Sequence, residues 1–189
     1  MAHLFDKPLL FIFALLCLAR YGAEAGLNAV PRPEGKFSID EAISLAVLTL
    51  THFASAGAVA YYLFIADKPS PAWFVAGCAL VVLGFAGRAV SLRQMGDSYS
   101  QRIQPAAGAT LVSTGAFGLV RHPLYLFYTL ELAGLVAVRP NLTSLAMLML
   151  ELAAVSYRII AEEQRLAGQY GQEYTEYRKR TRCLIPFIF

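Results

Sequence analysis

The chain has 189 residues, of which 57% are hydrophobic and only 15% charged, and its mean hydropathy is positive. That balance excludes an ordinary soluble domain and points to an integral membrane protein. The net charge of +3 is too small to indicate a nucleic-acid partner. Cys17, Cys78 and Cys183 stand far apart with no C-x-x-C, so they suggest neither a zinc centre nor a disulfide framework and read as small apolar fillers.

In chain order, the first apolar stretch is about Leu4 to Ala19, short for a bilayer core of about 30 Å. It competes with a secretory signal reading, which Asp6 beside Lys7 and a loose cleavage signal over Tyr21 to Gly26 argue against. The second stretch, about Ala42 to Ala66, and the third, about Ala72 to Leu92, are each long enough to cross, with a turn at Asp67-Lys68-Pro69-Ser70-Pro71 between them. Pro123 to Val138 and Leu142 to Ile160 predict a fourth and fifth span, divided by Arg139-Pro140-Asn141 and therefore forming a tight helical hairpin. The expectation is an all-α membrane protein of about five transmembrane helices with a C-terminal cytosolic cofactor-binding region.

With five spans, only Lys7, Lys68 and Arg139 of the 16 basic residues fall on one side. The positive-inside rule then places the other side in the cytoplasm and the N-terminus outside. The segment Ser91 to Gln104 is too polar for a span and too aromatic for a plain linker, so it is expected at the interface. Leu111 to Gly118 reads as an extended turn. Pro123 suits a first helical position, which sets Val120 to His122 at a helix N-terminus, where unpaired N–H groups attract anions. Beyond the fifth span, Arg158, Glu162 and Arg165 share one helical face and Tyr170, Tyr174 and Tyr177 follow at helical spacing. The end, Cys183 to Phe189, is too apolar to hang in water and is expected to fold back as a lid or dip into the membrane.

The run Gly118-Leu119-Val120-Arg121-His122-Pro123-Leu124-Tyr125, followed one span later by Glu162-Glu163, puts charge where lipid penalises it and so marks a site. Several further motifs stand in order with it: Gly87-Arg88, Gly96 with Gln104, Leu111-Val112-Ser113-Thr114-Gly115, Arg158, Gly171-x-Glu173-Tyr174-x-x-Tyr177 and Leu184-Ile185-Pro186-Phe187. From about Gly87 to Phe187 the chain resembles the isoprenylcysteine carboxyl methyltransferase family of membrane enzymes. The resemblance implies transfer of a methyl group from S-adenosylmethionine to the α-carboxylate of a prenylated cysteine at the cytosolic membrane face. It divides the chain into N-terminal spans over 1–86 and a catalytic region over 87–189. Two positions depart from the pattern: Phe127 stands where the family usually has glycine, which would reshape the cofactor pocket floor, and Gln101 where some members have histidine. Met1 to Phe85 carries no matching motif.

S-adenosylmethionine needs acceptors for its cations, donors for its carboxylate and an apolar or aromatic slot for its base. Glu162 or Glu163 is placed to hold the ammonium, the N–H groups at Val120 to His122 the carboxylate or the adenine edge, Tyr125 the purine or sulfonium, and Gln104 a polar edge. Arg88 and Arg158 are the candidates for a guanidinium clamp on an acceptor carboxylate, which is already ionised and needs no base. An amine acceptor would need one, and His122, Glu162 or Glu163 remains open for that role.

Competing readings are a snorkelling Arg88, an interfacial Arg121, a capping His122 and a belt Tyr125. Glu131 and Glu151, mid-span, either bond each other or line the acceptor cavity; His52 reads as a packed polar residue. A lipophilic acceptor is expected to enter from the bilayer beside the fourth helix, with no metal and no nucleic acid involved. The alternatives are phospholipid or other lipid N-methylation, an NADPH-dependent sterol or enoyl reductase, which Leu124 and Glu162-Glu163 disfavour, and a non-catalytic scaffold.

Overall fold

The computed structural model describes residues 7–27, 38–65, 69–99 and 110–184, and within them regular structure is helical apart from one isolated bridge. The helices are α1 (Pro8–Leu27), α2 (Ile39–Ile65), α3 (Pro71–Met95), α4 (Ala116–Leu119), α5 (Pro123–Val138), α6 (Leu142–Tyr170) and α7 (Gln172–Arg180). A 3₁₀ turn, Gly96–Ser98, follows α3. Five of them occupy the five apolar stretches read from the sequence. Of these, α2, α3 and α6 are long and apolar enough to cross a membrane, while α1 and α5 contribute shorter apolar runs. The 16 residues of α5 rise only about 24 Å at roughly 1.5 Å per residue.

Local chemistry sets the boundaries. Helix α2 opens with a reciprocal capping box: the Ser38 N–H donates to Glu41 Oε2 (2.9 Å) and the Glu41 N–H to Ser38 Oγ (3.3 Å). Asn141 caps α6, its Oδ1 accepting from the Ser144 N–H at 2.8 Å. Gly171 ends α6 and begins α7 at a φ of +52°, a left-handed conformation that favours glycine.

Helices α3 and α5 run antiparallel in close contact. A Cβ on Gly84 would lie 2.7 Å from the Phe127 carbonyl oxygen, and one on Gly87 2.6 Å from Cζ of the Phe127 ring. Small residues on α3 thus admit the backbone and bulk of α5. The departure at Phe127 is absorbed here: its ring lies over Gly87 rather than on the cavity wall, contrary to the expectation that it reshapes a pocket floor.

The main apolar core joins Phe13 of α1, Ala56, Val59 and Leu63 of α2, Phe74 and Val81 of α3, and Leu132, Leu135 and Val138 of α5. A second cluster, Leu48 with Val155 and Ile159, seats α2 against α6. One boundary differs from expectation in a way that matters. Helix α1 continues past Ala19 to Leu27, so Arg20 lies inside the helix and is 7% exposed rather than flanking a span.

Candidate active site

The site is built where α5 begins and α6 ends. The Val120–Arg182 bridge brings the chain after α7 alongside the entry to α5, with the Arg121 N–H donating to the Arg182 carbonyl (2.7 Å) and the His122 N–H to the Cys183 carbonyl (3.1 Å). These N–H groups were expected to receive a ligand anion. The tail takes them instead, because a parallel bridge satisfies buried backbone donors internally. Val120, 2% exposed, is not on the cavity wall.

Pro123 occupies the first turn of α5 and His122 the N-cap position, but the imidazole does not cap. Its Nε2 lies 2.9 Å from Glu163 Oε1 and its Nδ1 3.4 Å from Glu162 Oε2. Two carboxylates facing both ring nitrogens favour the imidazolium, which donates at each. Burial opposes that charge, but the hydrogen bonds and negative charge of Glu162 and Glu163 outweigh it, so the His122 pKa is raised above the ordinary imidazole value.

Glu162 and Glu163, adjacent on α6, point about 100° apart and do different work. Glu163 is bound by Arg121 (Nε to Oε1, 2.8 Å), by Arg178 (Nε to Oε2, 3.1 Å) and by the Tyr174 hydroxyl, which donates to Oε1 at 2.6 Å. Arg121, for which an interfacial role was the competing reading, therefore ties the site to the tail. Burial and the hydrogen bond to Glu163 raise the Tyr174 pKa, keeping its hydroxyl a donor. Glu163 lies off the cavity wall, whereas Glu162 is on it. Glu162 accepts from the Tyr125 hydroxyl, which in turn accepts from Arg158 Nε at 2.8 Å. Arg158 Nη1 also donates to Ser44 Oγ at 3.0 Å, and Arg165 pairs with Glu41 at 2.6 Å. The start of α2 thereby braces α6.

A second polar cluster lies deeper among the helices. Glu131 of α5, fully buried, receives Arg20 of α1 (Nη2 to Oε2, 2.7 Å) and Arg88 of α3 (Nε to Oε1, 3.2 Å), with His52 Nε2 3.7 Å from Oε2. Arg88 is thus buried rather than snorkelling at a helix end. Neither carboxyl oxygen of Glu151 has a hydrogen-bond partner, so the expectation that Glu131 and Glu151 bond each other does not hold, and neither residue lines the cavity.

One cavity of about 480 Å³ joins the two clusters, within the range of roughly 300–1,000 Å³ usual for small-molecule sites. Its outer end is lined by His122, Tyr125, Glu162, Tyr170 and Tyr174, and its inner end by Arg20, Tyr21, His52, Phe53, Arg88 and Tyr128. The structure therefore brings together Arg88, His122, Tyr125, Arg158 and Glu162 and leaves Val120 and Glu163 behind the wall. Gln104 and Gln101 lie outside the described residues. Sequence reasoning passed over Arg20 as a flanking residue and His52 as packing. The signal available was a cation directly after an apolar run too short to span.

Cys183, His122 and Glu163 place a sulfur, a nitrogen and an oxygen within 4.8 Å of one another. The two arginines already on Glu163 oppose a cation there, so these groups read as part of the hydrogen-bonded floor.

A sequence profile described as the isoprenylcysteine carboxyl methyltransferase (ICMT) family matches residues 76–168. Through that region the chain is similar to the isoprenylcysteine carboxyl methyltransferase family. With that likeness and three helices long and apolar enough to cross a bilayer among the described residues, the chain is an integral membrane protein. The protein-S-isoprenylcysteine O-methyltransferase of Saccharomyces cerevisiae is 33% identical over 117 residues, 60% of this chain and 49% of the yeast protein. The cobalt-zinc-cadmium resistance protein CzcN of Cupriavidus metallidurans is 34% identical over 108 residues, 57% of this chain and 49% of its own. The chain thus matches about half the length of these relatives. A solved structure of a eukaryotic intramembrane Ras methyltransferase, 22% identical, superposes with a TM-score of 0.57 over 82% of this chain and 55% of that one, which establishes the likeness of fold.

Proposed function

We propose that the protein is a membrane methyltransferase that uses S-adenosylmethionine to methylate a lipophilic acceptor, in first place the carboxylate of an isoprenylcysteine-like molecule. The observation that carries this reading is a cavity with a carboxylate and tyrosines at one end and guanidiniums among apolar helices at the other.

The outer end fits the cofactor by its donor set. Glu162 is an acceptor for the methionyl ammonium, Tyr125 is held between Arg158 and Glu162 where it can flank a sulfonium, and Tyr170, Leu166, Leu111 and Val112 offer a slot for adenine. When bound, the cofactor supplies an electrophilic methyl group. His122 holds Glu162 in place, its Nδ1 3.4 Å from Oε2. Arg88 and Arg158, both on the cavity wall, orient the acceptor carboxylate, which needs no proton removed before it reacts. The apolar walls of α2 and α5 exclude water from that reaction.

The family resemblance and the apolar lining supplied by α2 and α5 favour an acceptor that enters from the bilayer beside α5. In this reading residues 1–86 shape the acceptor end, 87–189 carry the catalytic region, all five apolar helices lie across the membrane, the outer end faces the cytosol and the N-terminus lies outside. Lys7 and Arg139 as the sparse basic flanks of the opposite side support that orientation.

The test is binding of S-adenosylmethionine, against NADPH, to the detergent-purified chain and to Glu162→Gln and His122→Ala. Saturable binding of the methyl donor, weakened about tenfold or more in both variants, is the expected result. Binding of NADPH alone overturns it.

A further inference from the structure

The inner wall of the cavity carries charge of one sign. Arg20 and Arg88 both line it, whereas Glu131, the carboxylate they share, lies fully buried off the wall. Among the described lining residues the only carboxylate is Glu162, at the far end, where Tyr125 and His122 already hold it. An entering group therefore meets the guanidiniums first and their counter-charge only through them.

Both guanidiniums are fixed in place. Each engages its own oxygen of Glu131, and each is flanked by rings: Arg20 lies 4.6 Å from the Tyr21 centroid, and Arg88 5.7 Å from that of Tyr128. Phe85 sits against the pair, 5.8 Å from Arg20 and 5.9 Å from Arg88. Tyr21 is itself stacked on Phe53 at 4.8 Å. Long cationic side chains ordinarily lose rotamer freedom when they bind an anion; these have lost it already, so little reorganisation opposes binding.

We propose that Arg20 joins Arg88 and Arg158 on the cavity wall in an anion subsite that takes the single negative charge of the lipophilic acceptor, with Arg20 a specificity-determining residue supplied by α1. Arg20 lies outside residues 76–168, which the family profile matches. Planar guanidiniums suit a carboxylate, and in a desolvated cavity their field weighs more than in water. The same field repels a cationic headgroup, so the subsite selects against lipid amines as well as for acids. Naming the anion as the methyl acceptor rests on the methyltransferase reading; the anion subsite itself does not.

The test is equilibrium binding, without cofactor, of N-acetyl-S-farnesylcysteine and of its neutral carboxamide to the detergent-purified full chain. Wild type should prefer the carboxylate by about tenfold or more, Arg20→Gln should lose most of that preference, and Arg20→Lys, which keeps the charge, should retain the larger part. Arg93→Gln, an exposed arginine near the end of α3, should leave the preference unchanged. A wild type that does not distinguish the two ligands, or an Arg20→Gln protein that still does, overturns the proposal. A chain that prefers the carboxylate yet binds no S-adenosylmethionine would sink the methyltransferase reading and leave the subsite standing.

Discussion

The two polar clusters of this protein are assembled in opposite ways. The outer one draws Arg121, His122 and Tyr125 from five consecutive residues and Glu162 and Glu163 from another adjacent pair, with α7 and the tail closing over them. The inner one takes one residue from each of four helices: Arg20, His52, Arg88 and Glu131. In the outer cluster each charge has several partners, so losing one contact leaves others. In the inner cluster one carboxylate serves two guanidiniums, and its loss removes an ion pair from both.

The sharpest way to break that contrast is Glu131→Leu. It leaves two buried guanidiniums without their shared counter-charge, and removing one partner of a buried ion pair costs about 3–5 kcal/mol. The expected outcome is the largest fall in thermal stability of any single change considered, read by unfolding in detergent. A fall no larger than that of Arg121→Leu would contradict it.

Gly87→Ala should follow, since its Cβ would lie 2.6 Å from Cζ of the Phe127 ring and nearer still to Cδ1 and Cε1. Overpacking of this kind costs about 1–3 kcal/mol. Phe127→Ala in the same chain should restore part of the loss, and a purely additive double variant would argue against the contact.

His122 gives the outer cluster a pH dependence of definite sign. Its folded pKa is raised by Glu162 and Glu163 in spite of burial, above an unfolded value of about 6.5. Its stabilising contribution is therefore complete below that unfolded value and is lost as pH rises through the folded one. Thermal stability should decline on going alkaline from neutrality, and His122→Gln should flatten the decline. A wild type that gained stability over that window would count against the assignment.

The smallest effect belongs to Lys179→Ala. Its pair with Glu176 is exposed on α7, and such pairs contribute little. No resolvable change in stability or ligand binding is expected, and a clear loss would show that α7 has a partner at that surface.

The outer site was largely legible in the sequence because its chemistry is local. A proline at a helix start, a histidine beside it and paired carboxylates one span later keep their meaning wherever the helices pack. What could not be read there was the division of labour between Glu162 and Glu163, since helical phase relative to a cavity is a property of packing. The N–H groups of Arg121 and His122 were misjudged for a similar reason: their partners, the Arg182 and Cys183 carbonyls, lie about 60 residues away in sequence. The inner site was visible only in pieces. Arg20 looked like the flank of a short span, and mid-span Glu131 had no assignable partner.

By itself the sequence determined the all-helical membrane class, the positions of the five apolar helices and the motif that carries the family resemblance. Those follow from hydropathy and from short-range rules of helix starts and stops, which need no neighbour to act. The tertiary structure alone decided that Glu162 and not Glu163 meets the cavity, that Arg20 and Arg88 share Glu131, and that both clusters open into one space. Burial of a charge is tolerated only where another helix brings its partner, and which helix does so is settled by packing.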